Sequence, residues 1–553
     1  MNIVRKISSR LSSTNDRDKC SSEAEEVVEE NGASSSGGSG SWDSSALPSD
    51  RILAIMHMRK LFSNLLRNPP PPRDIDQKLF PIVALLSKLT ESFTPSEFSE
   101  KFKEVPQLTT WLGRHLVQEI RRRASSQSTP TAAIAIFTYF QKSNHGRADY
   151  GHYGWMMLRS LSYLLSSGCE AAKGAACKAS LPSTLVKCLY LFFDLPDMTV
   201  LSISEDDCEA VRQVFLEVLR LLLHTTAGTE ELIRKDDLLL LFSGASSWCP
   251  EHNRIWRGST IDLLMILCSN IHMSFVLNYV HAKKAVAMFV NNVRQIQEAM
   301  LSERVEMIGC LLCILKDSAL ASDTLLNDFL DVQGYQFLTD FIIDNEECPA
   351  RDDQDSLRNL LFMISSLVTS HFTELKPLVT NTLFTLPGFE LPQPAGDGRS
   401  VKNLKAFEVL ENVFLRSRQN YVLSSVLDVV HSIVCSDQAN YFILEPRSFL
   451  GRFVETLDSK SDDIRQKVLD LVEYVPFHLN FIPSKELIAI SMLIKTERNY
   501  DSILIILQSL SRILHHSSIL KDVFREVGLL EVLTSLLLSF SFLIEADEGK
   551  ISK

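Results

Sequence analysis

Cys249 and His252, followed by Cys268 and His272, form a Cys2His2 set whose spacing is close to that of zinc sites. A metal there would need all four side chains turned to one point. Against that, Cys268 continues the apolar stripe of Ile261, Leu264 and Met265, where a thiol behaves as a small buried hydrophobe. A core cysteine is the favoured reading. Cys310-Leu-Leu-Cys313 has redox spacing but neither a second pair nor a strand-then-helix context, so two core thiols are expected. His145, Asp149 and His152 lie in the glycine-containing stretch HGRADYGHYGW, which suits an exposed loop. Arg121-Arg122-Arg123-Ala-Ser125 closes a predicted helix, where cations favour the negative end of the macrodipole. The same string offers Ser125 to a basophilic kinase. The sequence has no Gly-x-Ser-x-Gly elbow, Walker loop, His-Glu-x-x-His or kinase motif set. No catalytic, cofactor-binding or metal residue is assigned, no cofactor is expected, and the chain reads as a non-enzyme.

Any such residues must be carried on helices. Val211, Val214, Phe215, Val218, Leu219, Leu222 and Leu223 recur at helical spacing, with Arg212, Glu217 and Arg220 off the stripe. Similar stripes are Val186, Leu189, Tyr190 and Phe193; Leu404, Phe407, Leu410 and Phe414; and Ile503, Ile506, Leu507, Leu510 and Leu514. Residues 261–268 are apolar nearly all round, as befits a helix packed on both sides. No comparable strict alternation occurs, so the chain is expected to be all-α. One globular core serves only up to about 250–300 residues, so 553 residues of this kind imply stacked repeats. A self-comparison agrees: Phe329-Leu-Asp-Val-Gln-Gly-Tyr-Gln-Phe-Leu-Thr aligns without a gap on Phe524-Arg-Glu-Val-Gly-Leu-Leu-Glu-Val-Leu-Thr, with looser copies at Ile233 and Phe442. A short helix, a turn and a Leu-rich helix resemble the joint inside armadillo and HEAT repeats, whose period is about 40–47 residues. The period itself is not cleanly resolved by the residues alone.

Composition supports that class. Gly (21) and Pro (20) are scarce, which disfavours a many-stranded sandwich or propeller. The formal net charge is −12, against the concentrated cations that nucleic-acid binding needs. Eleven cysteines, an odd and small number, suit a reducing compartment, and no run approaches the ~20 apolar residues of a membrane span. A soluble cytoplasmic protein is expected. Residues 1–50 are predicted to be a disordered tail: a short basic amphipathic start, MNIVRKISSRLSS, then an acidic Ser/Gly-rich stretch without Lys or Arg after Lys19. That start is compatible with a transit peptide or a membrane-surface helix. Armadillo-like repeats are expected over 51–385 and 403–553, separated by a Pro/Gly-rich loop at 386–402 that divides the stack into two rigid pieces. The second set is expected to be truncated at its C-terminal end, where a greasy helix follows a repeat joint without a polar cap.

Particular strings carry more than pattern. EIRRRAS (119–125), LPSTLVKCLYLFFDLP (181–196), SSWCP (246–250), ELKP (374–377), LPGFELPQPAG (386–396), ANYFILE (439–445), NFIPSKELI (480–488) and KDVFREVGLLEV (521–532) resemble, in the same order, the N-terminal region of the autophagy-linked FYVE (Alfy, blue cheese) family of BEACH-domain scaffolds. The resemblance implies a scaffold in selective autophagy of protein aggregates, associated with autophagosomal membranes when part of a full-length family protein. It implies that this chain would offer a helical-repeat surface to protein partners. The family's WD40, BEACH and FYVE modules, which engage autophagy machinery and phosphatidylinositol 3-phosphate, have no counterpart motifs here, and nucleic acid is not an expected partner. The alternative is an autonomous armadillo-type adaptor in membrane trafficking.

Overall fold

The computed structural model describes residues 48–71, 74–124, 129–141, 153–197, 204–267, 274–379, 385–396, 398–497 and 499–551. The expected tail therefore lies, up to residue 47, outside the described residues. The described residues form 27 α-helices and no strand. The chain is all-α, and its contacts divide it into two compact units, one drawn from residues 15–298 and the other from 299–553.

The first unit opens with α1 (Pro48–Arg67), α2 (Ile75–Ser92), α3 (Pro95–Lys101), α4 (Val105–Ala124), α5 (Thr129–Phe140) and α6 (Tyr153–Leu165). A regular rhythm of short, middle and long helix then sets in: α7 (Glu170–Lys178), α8 (Leu181–Leu191) and α9 (Glu205–Leu223), followed by α10 (Thr226–Arg234), α11 (Leu238–Ser246) and α12 (Arg254–Leu267), then α13 (Ser274–Ala282) and α14 (Ala285–Gln295). Long helices pack on long ones (α2, α6, α9, α12), middle on middle (α5, α8, α11, α14) and short on short (α7, α10, α13). This is armadillo-type stacking. The stripe predicted on α9 is its buried face, with Val211, Phe215, Val218, Leu219, Leu222 and Leu223 all in the core. Ser204 caps that helix by accepting from the Asp207 amide at 3.1 Å, and Glu205, Asp206 and Asp207 fill the first turn, where acids suit the macrodipole.

The second unit repeats the plan with omissions. A long helix α15 (Leu301–Ser318) is followed by α16 (Thr324–Asp331), α17 (Gly334–Asp344) and α18 (Arg351–Val368), a full triplet. The pair α19 (Leu404–Arg416) and α20 (Asn420–Ser436) has no short helix before it among the described residues. Next come the triplet α21 (Ala439–Leu444), α22 (Phe449–Glu455) and α23 (Asp462–His478), the pair α24 (Ser484–Thr496) and α25 (Tyr500–His516), again without a short helix, and finally α26 (Ile519–Glu526) with α27 (Leu529–Ile551). Long helices α15, α18, α20, α23 and α25 pack in series, as do the middle helices α17, α19, α22, α24 and α27. No described helix is long and apolar enough to cross a membrane.

One joint is used six times. Between short and middle helix stands a residue with left-handed backbone: Ser180, Asp236, Lys284, Gln333, Ser448 and Gly528, with φ between 52° and 72°. In every case its amide donates to the carbonyl three residues back, at Cys177, Ile233, His281, Leu330, Glu445 and Arg525. That bond ends the short helix and turns the chain into the next one. From Ser180 to Gln333 the joints step by roughly 50 residues, near the period of armadillo units. The gapless self-alignment sets Gln333 against Gly528, so it lands on this joint. Five of the six positions hold non-glycine residues in a conformation that costs L-residues about 1–2 kcal/mol. Lys284→Gly, at an exposed site, is therefore expected to stabilise the first unit by up to about 1 kcal/mol, read as a raised urea midpoint.

The Pro/Gly-rich segment does not separate the two units; it lies inside the second. Pro387-Gly388 makes a tight turn, with φ of 86° at Gly388 and the Phe389 amide donating to Leu386 at 3.1 Å. The segment is then tied down along α21 and the end of α23. The Leu386 amide donates to Asn480 at 3.0 Å, and the Phe389 ring sits 5.6 Å from those of Phe442 and Phe481. Asp437 accepts from the Ala395 amide at 2.9 Å and from the Ser400 hydroxyl. Asn440, fully buried, accepts from the Val401 amide at 2.7 Å and donates to the Arg399 carbonyl at 3.1 Å. Most of the described residues of this loop are exposed, and buried polar side chains anchor it, because backbone laid on a helical stack must find partners for its own amides.

Candidate functional site

Of the residues singled out for chemistry, only some lie among the described residues. Cys249 is buried with the Arg257 guanidinium 3.6 Å from its Sγ, a cation where a zinc ligand would need a cation of another kind. A ring nitrogen of His252 lies 2.9 Å from the Leu195 carbonyl. Cys268 and His272 lie outside the described residues, as do Ser125, His145, Asp149 and His152. Among the described residues no group of three or more His, Cys, Asp or Glu side chains could hold a metal ion. Cys310 and Cys313 are buried on α15. Elsewhere burial pushes thiols up, Cys177 to about 11 and Cys188 to about 12, so they are poor nucleophiles. In the arginine triplet, Arg122 pairs with Glu119 at 2.9 Å, and Arg123 pairs with Glu119 while its guanidinium lies 3.8 Å from the centre of the Tyr139 ring. These two cations are spent within the fold.

Buried carboxylates serve packing as well. Glu411 of α19 has no exposed side-chain surface and is flanked by Arg452 and by Arg447 at 3.5 Å, yet burial still holds its carboxyl above the usual range. Glu486, in the first turn of α24, is pushed up to about 7 by burial and by neighbouring Glu445, with Lys485 opposing. The sign follows from linkage. The folded state keeps a proton that the unfolded chain releases near 4.5, so this residue's contribution is full below pH 4.5 and is lost as pH rises through about 7. Glu486→Gln should match the parent near pH 4 and exceed it by about 3 kcal/mol at pH 8, in urea unfolding followed by circular dichroism.

A groove is open between α17 and α19. Its first part, about 260 Å³, is walled by Gln336 and Thr339 of α17 and by Lys405, Glu408 and Asn412 of α19. Its second part, about 390 Å³, shares Lys405 and runs on between His371, Thr373 and Leu375 on one side and Lys402 and Leu404 on the other. The floor is built rather than accidental. Asn403, buried, caps α19 through the Ala406 amide at 3.0 Å and donates to the Tyr335 hydroxyl at 2.9 Å. The rim after α18 is fixed by Asp323, which accepts from the Phe372 amide at 2.9 Å and lies 3.2 Å from His371. Leu330, 44% exposed, and Phe372, 64% exposed, add apolar surface at the edge. No nucleophile, base and orienting group converge among the residues that line it. Sequence reasoning missed this groove. The signal available was the absence of a joint string ahead of Leu404, where the repeat rhythm demanded one.

Comparison with known proteins gives the wider relation. The chain is 27% identical over 409 residues to human WD repeat- and FYVE domain-containing protein 4, covering 73% of this chain. It is 26% identical over 465 residues to the mouse protein of the same name, covering 84%. A shorter match, 26% over 145 residues and 26% of this chain, is to BEACH domain-containing protein A2 of Arabidopsis thaliana. The chain spans only 13% and 14% of the length of the two mammalian relatives. A relation to WD-repeat, FYVE and BEACH-domain proteins is thus supported, without singling out the Alfy branch. No protein-family model matches the chain. Among solved structures, the crystal complex of SYS-1 and POP-1 overlaps 85% of this chain and 91% of that chain at 9% identity, with a TM-score of 0.27, too low to carry an argument.

Proposed function

We propose that this chain is a non-enzymatic scaffold segment of a BEACH-type protein of the autophagy-linked FYVE kind, acting in selective autophagy of protein aggregates. The observation that carries the scaffold reading is the stack itself. Each repeat touches only its neighbours, which leaves long faces and an open groove for partner proteins, while nothing described converges for catalysis. The similarity to WD repeat- and FYVE domain-containing relatives over most of this chain supports the BEACH-type assignment. The autophagy reading rests on the loop strings that resemble the Alfy family, such as LPGFELPQPAG, which now prove to be structured contacts rather than free loop. In this reading the protein works in the cytoplasm and on autophagosomal structures. The test is depletion in cells of the source organism, with clearance of ubiquitin-positive aggregates and bulk starvation autophagy measured side by side. Slower aggregate clearance with unchanged bulk turnover is expected; unchanged aggregate clearance overturns the proposal.

A further inference from the structure

The two faces of α1, at the start of the first unit, are both rich in large apolar side chains. On its inner face Ile55, Met58, Phe62 and Leu65 recur at helical spacing and are buried, with the Phe62 ring 6.1 Å from that of Phe102 just after α3. A helix held in this way needs only polar residues on its other side. Instead Ile52, Leu53, Met56 and Leu66 stand 46–61% exposed there, and Arg59, Lys60 and Arg67, also exposed, stand among them. Four such side chains on one helix face form a contiguous patch of the kind that marks an interaction site.

The charge on this face has one sign. The sole acid of α1 is Asp50, in its first turn. Arg59 donates to the Lys101 carbonyl, and none of Arg59, Lys60 and Arg67 pairs with an acid among the described residues. Lys101 is itself exposed, its Nζ 5.0 Å from the centre of the Phe93 ring, and adds a further cation beside Arg59. Glu97, the acid near Lys101, is engaged in its own capping box with Thr94. Half-exposed cations elsewhere are matched, Arg416 by Asp340 at 2.8 Å and Arg512 by Glu473 at 2.6 Å.

We propose that the outer face of α1 docks on an anionic lipid bilayer, which takes up the apolar side chains in its interfacial layer and holds the cations at its headgroups. The interleaving of the two kinds of residue selects a bilayer over a protein. At 100° per residue, Arg59 falls between Leu66 and Ile52, and Arg67 and Lys60 fall between Met56 and Leu53. A protein partner would have to bury acids among apolar contacts to meet them, at the cost of desolvating both charges. A bilayer asks for no such acids. The stems of Lys and Arg lie along the apolar surface while their heads reach the phosphates, and the surface potential of anionic lipid supplies the opposite charge across the whole plane.

This goes beyond the scaffold reading, which concerns protein partners, and stands or falls without it. The test is flotation of the full chain with vesicles of phosphatidylcholine alone or with about 30% phosphatidylserine. Flotation is expected with the anionic vesicles only, and it should fall as salt is raised from about 0.1 M to about 0.5 M. Lys60→Glu with Arg67→Glu is expected to cut the floated fraction at least about fivefold, and so is Leu53→Ser with Met56→Ser, which leaves the charge unchanged. All four sites are exposed, and the urea midpoint of Trp256 fluorescence verifies each variant. The basic start of the chain is the control: Arg5→Ser, Lys6→Ser and Arg10→Ser together should leave most of the flotation in place. Flotation that survives either α1 pair, or that the substitutions at the start abolish, overturns the site. No flotation at either composition overturns it too, and leaves the face to an acidic protein.

Discussion

Gly228→Ala is expected to destabilise the first unit by about 3 kcal/mol or more, because a Cβ at that position would lie 2.2 Å from the Leu222 carbonyl oxygen. Gly228 sits where α9 gives way to α10. The Thr225 hydroxyl both donates to that carbonyl at 2.6 Å and accepts from the Gly228 amide at 3.1 Å, so backbone must shift to admit one methyl group. Gly154→Ala should behave alike, its Cβ falling 2.1 Å from the Tyr139 carbonyl oxygen. The internal control is Gly174→Ala, a helical position with no atom within 4 Å of the added Cβ, expected to be neutral or to stabilise by up to about 1 kcal/mol. The measurement is simple because all five tryptophans precede residue 299, and Trp256, fully buried against Phe192 with ring centres 4.8 Å apart, reports this unit alone. An unchanged urea midpoint by tryptophan fluorescence would refute the close approach of α10 to the end of α9.

Arg465→Ala is expected to cost the second unit about 3–5 kcal/mol. Arg465 is buried and saturates its guanidinium: Nε donates to the Leu457 carbonyl at 2.9 Å, Nη2 to the Asp458 carbonyl at 3.0 Å and to Glu497 at 3.1 Å, and Nη1 to Asp462 at 2.8 Å and to Ser502. It joins α22's end, α23 and α25 in one network. Removing it strands the buried Leu457 carbonyl and the part-buried Asp458 carbonyl, and takes the opposite charge from Glu497, whose side chain is only 7% exposed. Lysine keeps the charge but not the planar fork, so Arg465→Lys should recover less than half of the loss. The double substitution Arg465→Met with Glu497→Leu is expected to lie well above the single alanine variant, because it removes both charges together. Since this unit lacks tryptophan, the readout is the circular dichroism transition that remains once the tryptophan-reported phase is accounted for. A double variant no better than Arg465→Ala would sink the account.

Much of the fold was legible because helical periodicity is a local property. The stripes from Val211 to Leu223 and from Leu404 to Phe414 each follow from neighbours within a few residues. The paired strings at Phe329 and Phe524 were legible too, since a repeated joint repeats its residues. The period blurred because the left-handed position accepts Ser, Asp, Lys, Gln or Gly at a cost of only about 1–2 kcal/mol, so no single residue type marks it. The Pro/Gly-rich segment was readable as non-helical, but not as a packed part of one unit, because its partners Asp437, Asn440 and Phe481 are supplied from later repeats.

The sequence by itself determined an all-α repeat chain of net negative charge without a catalytic motif, because composition and a 3.6-residue period need no distant partner to be read. Only the tertiary structure decided which repeats, among the described residues, lack a short helix, and where the Phe389 segment packs. A missing element leaves no residues to recognise. It becomes visible only when the helices on either side of the gap are set in place and the space between them stays unfilled.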